Sequence, residues 1–209
     1  GNTIPLPVPG DLGSRPIHFG DFRRVVPIAK NWGYDRGMPV DRYYIEKFLA
    51  RNAEYIRGRV LEIEDNTYTR RFGGDQVTRY DALHVEEGYP QASIVADLSD
   101  APQIPSNSFD CIILTQTLQL IFDLRATIRT VHRILKPGGV VLATIPGITQ
   151  TNDRDWSTYW YWSFTPLAGR RLFEEAFKPD GIHIDIYGNI LAAISLLHGL
   201  AAEELTEQE

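Results

Sequence analysis

Residues 109–114 read Phe-Asp-Cys-Ile-Ile-Leu, an almost unbroken apolar run of strand length. A strand that faces water on one side alternates apolar with polar residues, so a continuous run demands cover on both faces. That requirement narrows the architecture to a sheet sandwiched by helices. The rest of the chain agrees from residue 58 onward. Strands are expected over 59–63, 76–80, 92–96, 109–114, 140–145 and 182–187, each bounded by polar or turn-forming residues. Leu124, Ile128, Val131, Ile134 and Leu135 recur at helical spacing. Lys136-Pro137-Gly138-Gly139 stops that helix with a basic residue and turn formers. Further helices are expected over 41–52, with Asp41 as its N-cap, and over 168–177 and 189–200. Alternating strands and helices give an α/β fold, a doubly wound and mostly parallel sheet. Ligands of such sheets sit at the carboxyl ends of the strands, near the switch in strand order.

The 209 residues suit one globular unit, divided into an N-terminal arm and helix covering the pocket (1–54) and a core (55–209). Four prolines and four glycines in the first 20 residues make that segment irregular. A net charge of -6 and a pI near 5.4 argue against a nucleic-acid partner, whose binding rests on neutralising phosphates. Cys111 stands alone, which excludes an internal disulfide, a cysteine zinc cluster and a CxxC pair, and suits a reducing compartment. No apolar stretch approaches the ~18–20 residues that span a bilayer, and no leader-like apolar start is present. A cytoplasmic location is the expectation. The histidines lack metal-ligand spacing, and no Gly-x-Ser-x-Gly, P-loop or Gly-x-Gly-x-x-Gly turn is present.

Two segments carry a specific resemblance. Ile104-Pro105-Ser106-Asn107-Ser108-Phe109-Asp110 leads into the apolar run, and Arg133-Ile134-Leu135-Lys136-Pro137-Gly138-Gly139-Val140 precedes the next strand. Together they resemble the second half of a class I S-adenosylmethionine-dependent methyltransferase of the type 11 kind. The resemblance implies a Rossmann-like sheet of order 3-2-1-4-5-6. The family's additional seventh strand finds no candidate after Leu200. Upstream, residues 32–45 resemble the segment before the core in methyltransferase-like domains of bacterial glycan-assembly proteins. Arg36 and Arg42 there are candidates to face the pocket and bind an anion, against surface pairing with Asp35 and Asp41.

The resemblance places the cofactor's amino-acid end at the loop after the first strand, where the family carries Glu-x-Gly-x-Gly-x-Gly. This chain reads Glu62-Ile63-Glu64-Asp65-Asn66-Thr67-Tyr68, which keeps Glu62 and fills all three glycine positions. Asn66 tolerates a left-handed backbone, whereas Glu64 and Tyr68 would adopt one at about 1–2 kcal/mol each. Glu64 and Asp65 also bring carboxylates towards a carboxylate, which predicts weak binding of S-adenosylmethionine unless they meet its sulfonium and amino group instead.

Other positions follow from the same resemblance. Asp81 would end the second strand and grip the ribose, and Asp97 would lie near the adenine. Thr115 follows the fourth strand at the mouth of the site. With Glu62, Glu64 and Asn66 these complete the expected cofactor set. The stretch 153–164 follows the fifth strand, where the family builds acceptor contacts. Its aromatics Trp156, Tyr159 and Tyr161 alternate with polar groups in a manner suited to a small or glycan acceptor. Two functions remain open at this level: methyl transfer from S-adenosylmethionine, or a non-catalytic domain of the same fold with a binding or assembly role in glycan biosynthesis.

Overall fold

The computed structural model describes residues 20–150, 158–206 and 208–209. Ten main elements follow one another: α1 (Val40–Arg51), β1 (Gly58–Ile63), α2 (Thr67–Gly73), β2 (Val77–His84), β3 (Ile94–Val95), β4 (Phe109–Thr115), α3 (Leu124–Ile134), β5 (Leu135–Thr144), α4 (Pro166–Glu174) and α5 (Ile190–His198). The strands form one sheet of order β3-β2-β1-β4-β5, parallel at every pairing. This is the expected Rossmann-like sheet, with the switch in strand order between β1 and β4.

The central apolar run behaves as its sequence requires. Phe109, Ile112 and Leu114 join the core under α3, with Ile128, Val131 and Ile134. Cys111 and Ile113 face the opposite side, with Ile45 and Leu49 of α1 and Ile56. Asp110 interrupts the run for a structural reason. Its Oδ2 accepts from the Arg59 backbone N–H at 2.8 Å and from Lys136 Nζ at 2.7 Å. The Ser-Phe-Asp and Lys-Pro-Gly-Gly segments thus form one clasp across β1, β4 and β5. Between the pairs Phe109–Leu135 and Cys111–Val140 the chain loops out over Lys136–Gly139, and Gly138 takes φ 79° there. Arg133 secures the other side, donating to the Ile104 and Ala101 carbonyls at 2.6 and 2.7 Å.

Several boundaries differ from expectation. Helix α1 opens at Val40 with Pro39 as its N-cap residue, so Asp41 lies inside the first turn. Strand β2 continues to His84, beyond the break anticipated at Asp81. No helix forms between β2 and β3. Residues 182–189, expected to contain a sixth strand, form no strand. No seventh strand occurs among the described residues. The segment before α1 is laced to the C-terminal region: the Ala202 N–H donates to Met38 O at 2.7 Å, and Pro39 bridges Ala201. Among the described residues no helix is long and apolar enough to cross a membrane.

Candidate functional site

A cleft of about 1970 Å3 opens at the carboxyl ends of the strands, under α1 and beside α4 and α5. Such volume exceeds the ~300–1,000 Å3 of a single small-molecule pocket, leaving room for two ligands side by side. Its floor begins at Glu62, which is 2% exposed at the end of β1. The Glu62 carboxylate accepts from the backbone N–H groups of Tyr68 at 3.0 Å and Thr69 at 2.7 Å. It therefore closes the loop and satisfies two N–H groups at the start of α2 that have no helical partner. Burial pushes its carboxyl up to about 7, against these hydrogen bonds.

The loop itself corrects one expectation. The left-handed residue is Glu64, with φ 75°. Asn66 has φ -125°, as the N-cap residue of α2, and does not line the cleft. Tyr68 enters the first turn of α2 without strain. So the turn a glycine would make survives with a glutamate in it. The Glu64 N–H donates to Leu83 O at 2.8 Å, holding the turn against β2. The Glu64 side chain is exposed, and its carboxylate accepts a hydrogen bond from Tyr89 Oη at 3.5 Å. A left-handed L-residue costs about 1–2 kcal/mol. Glu64→Gly is therefore expected to stabilise the fold by about 1 kcal/mol, once the greater freedom of an unfolded glycine is subtracted. A urea midpoint that rises at constant slope would show it.

Asp81, which the resemblance assigned to a ribose, stands away from the cleft. It pairs with Leu61 inside the sheet and does not line the cleft. Its carboxylate accepts from Arg59 Nε at 2.7 Å, Arg79 Nη2 at 3.2 Å and Ser93 Oγ at 3.2 Å. Burial opposes its charge, yet the two arginines outweigh it and hold the carboxyl below its usual range. The end of β2 instead presents His84 and, just beyond it, Glu86 to the cleft. The Glu86 N–H donates to His84 Nδ1 at 3.0 Å, and the His84 ring stacks on Tyr89 with centroids 4.2 Å apart.

Asp97 and Thr115 both line the cleft. Asp97 Oδ1 accepts from the Ser99 N–H and hydroxyl at 2.8 and 2.7 Å, which fixes the turn after β3. Beyond Thr115, Gln116 takes φ 49° and its Oε1 accepts from Gln119 Nε2 at 3.0 Å. Tyr159 and Tyr161 reach the same cleft from the far side, whereas Trp156 lies outside the described residues. The Tyr161 N–H donates to Gln119 O at 2.8 Å. Phe122, 68% exposed, meets Tyr161 edge-on at 5.4 Å and Trp162 face-on at 5.8 Å. Sequence reasoning missed Phe122 and Glu86, since neither sits at a motif position.

The sheet, the strand-end cleft and the Asp110–Lys136 clasp can now be set beside known proteins. A family model described as a methyltransferase domain matches residues 49–143. Over these residues, just under half of the chain, the protein is similar to that methyltransferase domain. The [4+2]-cyclase SpnF superposes with a TM-score of 0.51 at 18% identity, covering 70% of this chain and 60% of the cyclase. The MccD protein gives 0.50 at 13% identity, over 66% of this chain and 72% of that one. An S-adenosylmethionine-dependent methyltransferase from Mesorhizobium loti gives 0.49 at 18% identity, over 69% and 82%. The chain thus spans less than two thirds of the cyclase's length. No curated protein sequence matches it. A protein named as a cyclase sharing this fold illustrates that the fold does not fix the reaction. Among the described residues no group of acids, histidines and cysteine is placed to hold a metal ion.

Proposed function

We propose that the methyltransferase domain binds S-adenosylmethionine in the strand-end cleft and transfers its methyl group to a small, hydroxyl-rich acceptor of glycan type. The preserved left-handed turn at Glu64 is the observation that carries this reading. A loop released from cofactor binding has no need to keep a costly backbone conformation that glycine normally supplies. The residues present fit the ligand's charges. Glu64 and Asp65 offer carboxylates to its ammonium and sulfonium groups, and Asp97 with Leu98 lines the region towards the adenine. Glu86, just beyond β2, takes the ribose role first expected of Asp81. Glu62 shapes the loop from beneath through its two backbone partners.

The bound cofactor supplies an already activated methyl group. The chain's task is then to position the acceptor and exclude water. Tyr159 and Tyr161, with Phe122 beside them, supply ring faces for a sugar at the open end of the cleft. Thr115 and Gln116 supply hydrogen bonds there, though neither is an effective base near neutrality. The two carboxylates of Glu64 and Asp65 on the cleft wall, where a ligand carboxylate would be repelled, favour one competing reading, a non-catalytic domain that binds without transferring. Incubation of the full chain with methyl-tritiated S-adenosylmethionine and a panel of saccharides separates the two. Label entering a saccharide supports transfer; saturable cofactor binding with no label in any acceptor supports the non-catalytic reading.

A further inference from the structure

The sequence offered Arg36 and Arg42 as equivalent anion candidates, and the structure separates them. Arg36 is consumed by a two-pronged ion pair with Glu204. Arg42 lies on α1, half-buried, and lines the cleft. Its Nε donates to Tyr34 Oη at 2.9 Å and its Nη1 to Tyr68 Oη at 3.1 Å. Both partners are phenol hydroxyls. Among the described residues no carboxylate lies within ion-pair distance of it. Neighbouring Asp41 is turned elsewhere, its Oδ1 accepting the Arg42 backbone N–H at 2.9 Å.

Taking a guanidinium partly out of water without a counter-ion is costly. Here two hydroxyls fix its plane without a direct ion pair, and the Asp41 carboxylate acts on its charge only through space. The fork of an arginine matches a carboxylate with two parallel hydrogen bonds. Tyr68 links this group to the loop, because its own N–H donates to Glu62. Arg42 and Tyr34 precede residue 49, where the family match begins, so that match assigns them no role.

We propose that Arg42, oriented by Tyr34 and Tyr68, forms a carboxylate-binding subsite of the cleft. The inference rests on the cofactor reading above in one respect: it takes the amino-acid end of the cofactor as the first source of that carboxylate. Arg42 then supplies the positive charge that the acidic loop lacks, with Glu64 and Asp65 left to face the ligand's cations. An acceptor carboxylate, such as that of a uronic acid, is the second source of the same chemistry.

Calorimetry on the full chain with four ligands tests the subsite. S-adenosylhomocysteine carries the amino-acid end and 5′-methylthioadenosine lacks it; glucuronate carries a carboxylate and glucose lacks it. Wild-type protein is expected to bind S-adenosylhomocysteine on the order of 10- to 100-fold more tightly than 5′-methylthioadenosine. Arg42→Met should cut that preference about tenfold, leaving only the part that Glu64 and Asp65 draw from the ammonium, and should leave 5′-methylthioadenosine unchanged. Arg42→Lys should restore part of it, since charge returns without the fork. Equal binding of the two nucleosides by wild type, with no preference for glucuronate over glucose, overturns the subsite. So does an Arg42→Met variant, folded by circular dichroism, that keeps the preference undiminished. If neither nucleoside binds, the cofactor reading fails by itself. The subsite then stands only if wild type prefers glucuronate to glucose and Arg42→Met loses that preference, and it falls otherwise.

Discussion

Asp81→Ala is expected to destabilise the domain by roughly 2–4 kcal/mol while leaving ligand affinity intact under conditions where the variant is still folded. Breaking a fully buried ion pair from one side costs about 3–5 kcal/mol, because the remaining charge is stranded. The Asp81 side chain is 4% exposed, but Arg59 is 27% and Arg79 63% exposed, so both cations recover some hydration and the cost falls. Ser93 loses its bond to the carboxylate too, which loosens the short β3 edge. Urea unfolding gives the stability change, and ligand titration at low denaturant gives the affinity. The pH dependence has a definite sign. A depressed carboxyl stabilises above its ordinary range, and that contribution is lost as pH falls through its lowered folded-state value. The Asp81→Ala curve should therefore converge on wild type in acid. A variant that stays as stable as wild type yet loses nucleoside binding would return Asp81 to the cofactor site.

Glu62→Gln is expected to alter the pH dependence of stability in the opposite sense. With the Glu62 carboxyl raised to about 7 from its ordinary 4.5, the folded state holds the proton more tightly than the unfolded chain. Stability from this group is fully present below about 4.5, is lost as pH rises towards 7, and is level above that. The gap between the two values corresponds to roughly 3 kcal/mol. Glutamine keeps the shape without the titration. It gives up one acceptor for the Tyr68 and Thr69 N–H groups, at about 1 kcal/mol. The difference between the wild-type and Glu62→Gln urea midpoints, measured from pH 4.5 to 8, isolates the group from all other carboxylates. Parallel curves would show that Glu62 is charged throughout and that burial does not govern it.

The fold was legible wherever local pattern and tertiary demand coincide. The run at 109–114 required cover on both faces, and α1 and α3 supply it. The turn at Lys136–Gly139 was readable because proline and glycine act locally, and its tie to Asp110 followed from the clasp. Strand β2 was cut short at Asp81, since a carboxylate usually ends a strand; two arginines from neighbouring positions allow it inside one. The opposite error occurred at 182–187. Ile182, Ile184 and Ile186 alternate as in a strand, but a strand exists only through its neighbour. Here the segment runs unpaired, with Ile186 74% exposed.

The candidate site was legible in part. Glu62, Glu64, Asp97 and Thr115 do converge on one cleft, as do Tyr159 and Tyr161. Asn66 and Asp81 stand outside it. Which residue of the loop turns left-handed depends on how β2 holds that loop, which composition does not encode. Tyr68, read from sequence only as the filler of a glycine position, is a hydrogen-bond partner for Arg42. That pairing joins residues 26 positions apart and is visible only once α1 lies across α2.

Titration of S-adenosylhomocysteine into the wild-type chain, followed by calorimetry, tests the central claim that the strand-end cleft is a working cofactor site. The account predicts one saturable site with a Kd below about 100 μM, and a Tm that climbs with ligand concentration. No heat and no Tm shift at millimolar ligand would contradict it, and would leave the left-handed turn at Glu64 as a relic of the fold.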